Sequence, residues 1–246
     1  MTRLLVIAGT DSSGGAGLTR DVSVAAALGV TVAPVVTAVT AQTQKGLVDA
    51  ELMQPDLVQS QITAALETTR PDAVKIGMLG SSAIAEIVAA TLAEQGLPIV
   101  LDPVLKSTSG GTLLKGGLPK ALLSITTLIT PNLPEVAALT GLPEVADLAQ
   151  ITQQARTLQA LGARAVLVKG GHAGGHEATD HLFDGDTHHA MSARRLDVQQ
   201  RGTGCSLATA IACHLALGRD LKTACDLGKR HIHDWLARAR QPHAVL

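Results

Sequence analysis

The residues Gly202-Thr203-Gly204-Cys205 stand at the start of a run of small and apolar residues that keeps helical spacing as far as Leu217. Two glycines before a helix allow a sharp turn and leave the first backbone N–H groups of the helix uncovered. These donors and the positive end of the helix dipole favour an anion, and they lower the pKa of a cysteine in the first turn. The pattern predicts an anion site beside a candidate base, Cys205; the alternative is a tight loop in which Cys205 is a packing residue.

Polar side chains also follow the ends of several predicted strands. Asp102 comes directly after one apolar run, Asn132 and Glu135 after a second, and Lys169 after a third. In an open parallel sheet, ligands bind beyond the carboxyl ends of the strands. We therefore expect these side chains to converge on the turn at Gly202–Gly204.

The types of these residues suggest phosphate chemistry. Asp102 and Glu135 carry the oxygen ligands that Mg²⁺ prefers near a polyphosphate. Glu135 also stands three residues after Asn132, the spacing of a capping box, so helix capping is another possible role, which does not exclude metal binding. Lys169, between a strand and two glycines, is well placed for a phosphate, although an exposed lysine at a strand end is an alternative.

A glycine-rich segment, Gly9–Gly17, follows the first predicted strand. Its spacing is not Gly-x-Gly-x-x-Gly, and no Lys-Ser or Lys-Thr pair follows the glycines, so neither a dinucleotide fingerprint nor a Walker A motif is present. A glycine-rich substrate loop and a plain turn both remain open.

The elements that must position these residues alternate along the chain. Strands are predicted at Arg3–Ala8, Val30–Val39, Ala73–Ile76, Ile99–Leu101, Leu128–Ile129 and Ala165–Val168. Helices are predicted at Leu18–Leu28, Asp56–Glu67, Ser82–Glu94, Pro134–Thr140, Leu148–Leu161, Cys205–Leu217 and Leu221–Arg238. A hairpin is predicted from Ala178–Phe183 and Thr187–Arg194. Continuous apolar strands that alternate with helices indicate an α/β protein, a single domain over residues 1–246 with a mostly parallel sheet covered by helices on both faces.

Composition excludes several classes of function. A net charge of -1, with 17% charged residues, provides no basic face for nucleic acid. No apolar run approaches the roughly 20 residues of a membrane span, so no membrane partner is expected. The N-terminus enters a strand pattern directly and does not resemble a signal peptide. Three cysteines without metal-type spacing fit a reduced, cytoplasmic protein.

Several histidines lie in and near the predicted hairpin. They are His172, His176, His181, His188 and His189. The first two have ligand-like spacing, but they stand on a glycine-rich loop rather than on one helix face, so we favour a solvated flap over a transition-metal site.

Taken in order, the motifs resemble those of the hydroxymethylpyrimidine/phosphomethylpyrimidine kinases of thiamine biosynthesis, in the ribokinase-like superfamily. The resemblance covers about residues 3–235. Its marks are Ile7–Gly17 with Asp21, Thr37–Gln42, Lys75–Met78, Leu101–Val104 with Ser109-Gly110, Thr130–Glu135, Val168–His172 and Gly202–Cys205. Two positions depart from the family pattern: Arg201 replaces a common histidine, and Lys106 replaces a hydrophobic residue.

The resemblance implies a kinase that uses ATP and Mg²⁺ to phosphorylate 4-amino-5-hydroxymethyl-2-methylpyrimidine and then its monophosphate. It also implies a homodimer. It implies an anion hole at Gly202, Thr203, Gly204 and Cys205, with Cys205 as the presumed base. The implied substrate contacts are Gly9, Asp21, Thr40, Gln42 and Met78. The implied ATP contacts are Asn132, Glu135, Lys169 and Arg201, with Asp102 and Glu135 on the Mg²⁺ side.

Two rival functions remain open. A pyridoxal or pyridoxine kinase would share the fold and accept a similar ring, although the amide of Gln42, both donor and acceptor, suits an aminopyrimidine. A non-catalytic protein that binds the pyrimidine would keep the pocket without turnover. The intact Lys169, Glu135 and Gly202–Cys205 argue against the second rival.

Overall fold

The protein is described by a computed structural model that covers residues 1–43, 46–105, 117–172, 174–198 and 200–239, with the backbone of Leu114 and Lys115. His172 is described for its backbone alone. Lys106 and the Ser109-Gly110 mark of the resemblance lie outside the described residues.

A central sheet of eight strands organises the fold. The strands in the described part of the chain are β1 (Arg3–Ala8), β2 (Thr31–Val36), β3 (Ala38–Thr43), β4 (Gly46–Leu52), β5 (Ala73–Ile76), β6 (Gly80–Ser81), β7 (Ile99–Leu101), β8 (Leu114–Lys115), β9 (Leu128–Ile129), β10 (Ala165–Val168), β11 (Glu177–Asp184) and β12 (Thr187–Arg194). Their order in the central sheet is β12-β11-β10-β9-β7-β5-β1-β2. The pairs from β10 to β2 are parallel, and β11 and β12 add an antiparallel hairpin at one edge.

Helices cover both faces of this sheet. They are α1 (Gly17–Ala27), α2 (Pro55–Thr69), α3 (Ser82–Leu92), α4 (Lys120–Ile125), α5 (Leu133–Thr140), α6 (Leu148–Ala160), α7 (Thr203–Ala216) and α8 (Leu221–Ala239). Because side chains alternate along a strand, Leu5 and Ile7 of β1 pack with α2 to α6, whereas Leu4 and Val6 pack with α1, α7 and α8. The predicted α/β architecture, with both faces covered, is confirmed.

The prediction of one strand over Val30–Val39 is wrong. The chain bends at Thr37, which is buried and donates a hydrogen bond from Oγ1 to the carbonyl oxygen of Met78 at 2.6 Å. Residues before the bend form β2 of the central sheet, and residues after it form β3, which pairs antiparallel with β4 in a separate two-stranded sheet. Asp49 and Glu51 interrupt β4, and none of its seven residues is fully buried, so its sequence lacks the continuous apolar run that identified β1, β7 and β10.

Helix α7 occupies the centre of one face. Eight consecutive residues of this helix, 206–213, are buried. A helix that is enclosed all round must carry small and apolar residues, and the Ala-rich sequence of α7 meets that need. Its N-terminus is thereby fixed against the sheet. Of the helices in the described part of the chain, none combines the length and apolar composition needed to cross a membrane.

Candidate active site

The carboxyl ends of the parallel strands open onto a cleft of about 1270 Å³. Asp102 follows β7, Asn132 lies just beyond β9, and Lys169 follows β10, so all three stand at one edge of the sheet. A backbone bridge pairs Asn132 with Lys169 and extends the contact between the two strands. Asp102, Asn132 and Lys169 line the cleft together with Cys205, so the predicted convergence of these side chains is present in the structure.

A compact charge cluster lies at this edge. The Nζ atom of Lys169 lies 3.1 Å from Oδ1 of Asp102 and 3.6 Å from Oε2 of Glu135. All three side chains are largely enclosed, with exposures of 12%, 3% and 14% for Lys169, Asp102 and Glu135. Burial alone would lower the pKa of Lys169, but the two carboxylates raise it above its ordinary value. Lys169 therefore carries its positive charge at neutral pH.

Glu135 has two roles in the structure. Its Oε2 accepts a hydrogen bond from the N–H of Asn132, and Oδ1 of Asn132 accepts one from the N–H of Glu135, both at 2.8 Å. This capping box begins α5. Burial raises the pKa of Glu135, and Asp102 adds to that rise while Lys169 opposes it. The cap thus holds a carboxylate at the cleft, so capping and a role in ligand binding are compatible.

The N-terminus of α7 meets the same cluster. Gly202 caps the helix with a φ of 76°, and a Cβ atom there would overlap the carbonyl oxygen of Gly15. A Cβ atom on Gly204 would lie 3.2 Å from Nζ of Lys169. The ammonium group of Lys169 therefore lies against the first turn of α7, where backbone N–H groups lack partners within the helix. A cation and a helix N-terminus are combined at one point, which suits a phosphate.

Cys205 lines the cleft, but its predicted low pKa is wrong. Burial raises the pKa of Cys205 to about 11, the carboxylates of Asp102 and Asp21 add to the rise, and the opposing effects of Lys75 and the N–H of Gly17 are too small to cancel it. The position at a helix N-terminus favours a thiolate, yet enclosure of the sulfur outweighs that effect. Cys205 is a neutral thiol at neutral pH.

The glycine-rich segment packs against the β3–β4 hairpin. Thr40, which is buried, donates from Oγ1 to the carbonyl oxygen of Thr10 at 2.7 Å, and its own N–H donates to Thr10 Oγ1. Ser12 bonds both the N–H and the carbonyl oxygen of Gln42. A Cβ atom on Gly9 would lie 3.1 Å from the sulfur of Met78. Four of the predicted substrate contacts, Gly9, Thr40, Gln42 and Met78, thus belong to one assembly, of which Gln42 lines the cleft.

Asp21, for which the resemblance implies a substrate contact, has a fully buried side chain and is not among the described residues that line the cleft. One carboxylate oxygen accepts a hydrogen bond from Nζ of Lys75 and the other from Oγ1 of Thr209, each at 2.7 Å. The helical period of α1 turns Asp21 toward the sheet and α7, where an unpaired carboxylate would be costly. Asp21 therefore links α1 to Lys75 of β5 and to Thr209 of α7.

Lys75, the partner of Asp21, lies in the Lys75–Met78 motif of the resemblance, but no role was predicted for it from the sequence. It lies in β5, whose four residues are all buried. Burial alone would lower the pKa of Lys75, but the carboxylate of Asp21 raises it, so the ammonium stays charged. A lysine inside an otherwise apolar strand was the available signal, because a buried charge requires a partner.

Arg201, for which the resemblance implies a contact with ATP, lines the cleft. Its guanidinium makes hydrogen bonds to the glycine-rich segment and to β3. Nη1 donates to Ser13 Oγ at 2.8 Å and to the carbonyl oxygen of Thr43 at 2.7 Å. Nη2 donates to Asp11 Oδ2 at 3.2 Å and to Gln42 Oε1. The partners of Arg201 lie 158 to 190 residues away in sequence, so the residues around Arg201 carry no signal of these contacts.

Known sequences resemble this chain over nearly its whole length. A family model described as phosphomethylpyrimidine kinase matches residues 11–244. The hydroxymethylpyrimidine/phosphomethylpyrimidine kinase of Rhizobium meliloti (strain 1021) is 41% identical over 240 residues, which cover 96% of this chain and 90% of that one. The enzyme of the same name from Escherichia coli (strain K12) is 39% identical over 214 residues, 85% of this chain and 80% of that one.

Solved structures agree with the sequences. The phosphomethylpyrimidine kinase of Clostridium difficile 630 aligns with a TM-score of 0.82 at 34% identity and covers 96% of this chain and 99% of that one. The pyridoxal kinase of Staphylococcus aureus in complex with ADP aligns with a TM-score of 0.85 at 26% identity, over 96% of this chain and 88% of that one. The fold is therefore ribokinase-like, and the chain belongs to the phosphomethylpyrimidine kinase family of phosphotransferases.

Proposed function

We propose that the cleft at the carboxyl edge of the sheet transfers the γ-phosphoryl group of ATP to the hydroxymethyl group of 4-amino-5-hydroxymethyl-2-methylpyrimidine, and then a second phosphoryl group to the monophosphate. The observation that carries this proposal is the position of Lys169, whose ammonium lies 3.1 Å from Asp102 and against the first turn of α7. Phosphoryl transfer depends mainly on positioning and on neutralising charge, and this arrangement supplies both.

Each part of the cleft has a role in this proposal. The free N–H groups of Thr203, Gly204 and Cys205 would bind the transferred phosphoryl group, with Lys169 beside them. Gln42 would bind the ring edge, and Gly9 and Met78 would lie against the ring face, for which a polarizable thioether is suited. Asn132 and Glu135 would contribute on the ATP side.

The carboxylates of Asp102 and Glu135 fit a role with Mg²⁺. Oδ1 of Asp102 and Oε2 of Glu135 both approach the Lys169 ammonium, so these two oxygens face the place where phosphates would lie. Mg²⁺ is commonly held by one or two carboxylates together with substrate phosphates. When bound, the ion would neutralise phosphate charge that develops during transfer. Asp102 and Glu135 themselves hold Lys169 in place and keep it charged.

Cys205 enters this scheme as a thiol. Its raised pKa of about 11 leaves it protonated at neutral pH. Its proposed role is contact with the reacting oxygens at the start of α7. Transfer would form a bond between the hydroxymethyl oxygen and phosphorus and break the bond from phosphorus to the ADP oxygen. The hydroxyl proton would pass to solvent, because the protonated Cys205 does not accept it.

A second candidate is phosphorylation of pyridoxal or pyridoxine. Structural similarity to the Staphylococcus aureus pyridoxal kinase, at a TM-score of 0.84 for its complex with AMP-PCP and pyridoxal, is the observation that favours it. Relatives near 40% identity carry the pyrimidine kinase name, which favours the pyrimidine. We further propose a homodimer in the cytoplasm, on the resemblance to the family and the cysteine usage.

ATP consumption tests the assignment. The assay compares the hydroxymethylpyrimidine, its monophosphate and pyridoxine, each with and without Mg²⁺. Turnover on both pyrimidines that stops without the metal is the expected result. Turnover on pyridoxine alone would replace the main proposal with the second candidate, and saturable pyrimidine binding without any turnover would indicate a binding protein.

A further inference from the structure

Arg201 connects two segments that border the cleft. On the glycine-rich segment its guanidinium bonds Asp11 and Ser13, and on β3 it bonds Gln42 and the carbonyl oxygen of Thr43. The side chain of Arg201 is 18% exposed and that of Asp11 is 2% exposed, so their ion pair is shielded from water. One planar donor group therefore fixes the relative position of both segments.

The contact with Gln42 determines which way its amide faces. A guanidinium has donors and no acceptor, so the atom of Gln42 that meets it must be the amide oxygen. The amide nitrogen is consequently the end directed away from Arg201. Gln42 and Arg201 both line the cleft, so a ring bound beside them would meet an amide whose orientation is already set.

We propose that Arg201 is a positioning residue for the acceptor substrate: it holds the Gln42 amide oxygen so that the amide nitrogen donates a hydrogen bond to an acceptor on the edge of a heteroaromatic ring, such as a ring nitrogen. This inference rests on the proposed pyrimidine site. Arg201 thereby acts on recognition of the ring through Gln42, and it does not act on the phosphates of ATP.

The charges around the guanidinium agree with this role. The carboxylate of Asp11 neutralises Arg201 at 3.2 Å, whereas Lys169 faces the first turn of α7. Loss of the Arg201 guanidinium should therefore raise the KM for the pyrimidine and leave the KM for ATP nearly unchanged. A residue that contacted ATP phosphates would give the opposite pattern.

A double-mutant cycle tests the inference on the full chain. Arg201→Lys keeps a positive charge beside Asp11, but a single ammonium cannot donate to all the acceptors that the guanidinium of Arg201 contacts. We expect it to raise the pyrimidine KM about tenfold in the wild-type background and less than about twofold in a Gln42→Ala background, since interacting residues are not additive. Arg156→Lys is the matched control, because Arg156 pairs with Asp186 at the exposed surface.

A second variant keeps the test decisive if Arg201→Lys fails to fold. Gln42→Glu retains an oxygen for Arg201 and adds an ion pair, but it removes the amide donor. The inference predicts a folded protein with a pyrimidine KM raised at least about tenfold, the loss expected when a hydrogen-bond donor to the substrate is removed. Melting temperatures of both variants monitor folding.

Three results would overturn the inference: a wild-type pyrimidine KM in Gln42→Glu, an equal penalty for Arg201→Lys in both backgrounds, or an ATP KM that rises as much as the pyrimidine KM. Failure of the proposed function is a separate outcome. It would appear as absent pyrimidine turnover in the wild-type protein.

Discussion

The state of the Cys205 thiol leads to a quantitative prediction about the pH dependence of turnover. The pKa of Cys205, about 11, lies three units above pH 8, so at pH 8 about one molecule in 10³ carries a thiolate. A bound polyphosphate raises this pKa further, because added negative charge disfavours the thiolate. A general base contributes about 10²- to 10⁴-fold, and a base that is so rarely ionised would lose most of that contribution.

The assay is kcat with saturating ATP and pyrimidine between pH 7 and 9, for the wild type, Cys205→Ser and Cys205→Ala. We expect no rise in kcat that depends on Cys205, and a loss below about tenfold in Cys205→Ser, smaller than removal of a general base would cause. Cys213→Ala is the matched control, since Cys213 is a buried thiol of the same helix. A tenfold rise in kcat per pH unit that disappears in Cys205→Ala would refute the neutral-thiol role.

Three further predictions concern the charge cluster, the ring contact and the turn before α7. Lys169→Met should lower kcat by about 10²-fold or more, as for other groups that stabilise developing charge, with the pyrimidine KM nearly kept; an unchanged kcat would contradict its phosphate role. Gln42→Ala should raise the pyrimidine KM far more than the ATP KM in steady-state kinetics, and equal effects on both would refute the ring contact. Gly202→Ala should lower the free energy of unfolding, measured in urea, by about 1–2 kcal/mol because of the left-handed φ. Overlap with the Gly15 carbonyl should lower it by about 1–3 kcal/mol more. Gly218→Ala is its control, because Gly218 has a φ of 77° and no atom of the described residues beyond its chain neighbours lies within 4 Å of the added Cβ. Equal losses of stability in the two variants would show that the overlap contributes nothing.

Much of the fold was predictable because its signals are local. The apolar runs of β1, β7 and β10 are continuous, as expected for strands buried on both faces. The capping box of α5 lies within four residues of sequence, and the structure contains both of its hydrogen bonds. The convergence of Asp102 and Lys169 followed from a general property of parallel sheets, which place the ends of their strands at one edge.

The remaining features depend on contacts between distant segments. The bend at Thr37 is stabilised by a bond to Met78, 41 residues away, so the run of apolar residues gave no sign of it. The pairing of Asp21 with Lys75 spans 54 residues. The pKa of Cys205 depends on enclosure by several elements, whereas its position at a helix N-terminus predicts a shift of the opposite sign.

Product analysis tests the central claim most directly. The wild-type protein is incubated with ATP, Mg²⁺ and the hydroxymethylpyrimidine, and the products are identified by phosphorus NMR and mass spectrometry over time. We expect the monophosphate to appear first and the diphosphate after it, with one ADP formed for each transfer, and neither product to accumulate at a comparable rate with Lys169→Met. ADP formed without a phosphorylated pyrimidine, or full activity in Lys169→Met, would contradict the assignment of the cleft.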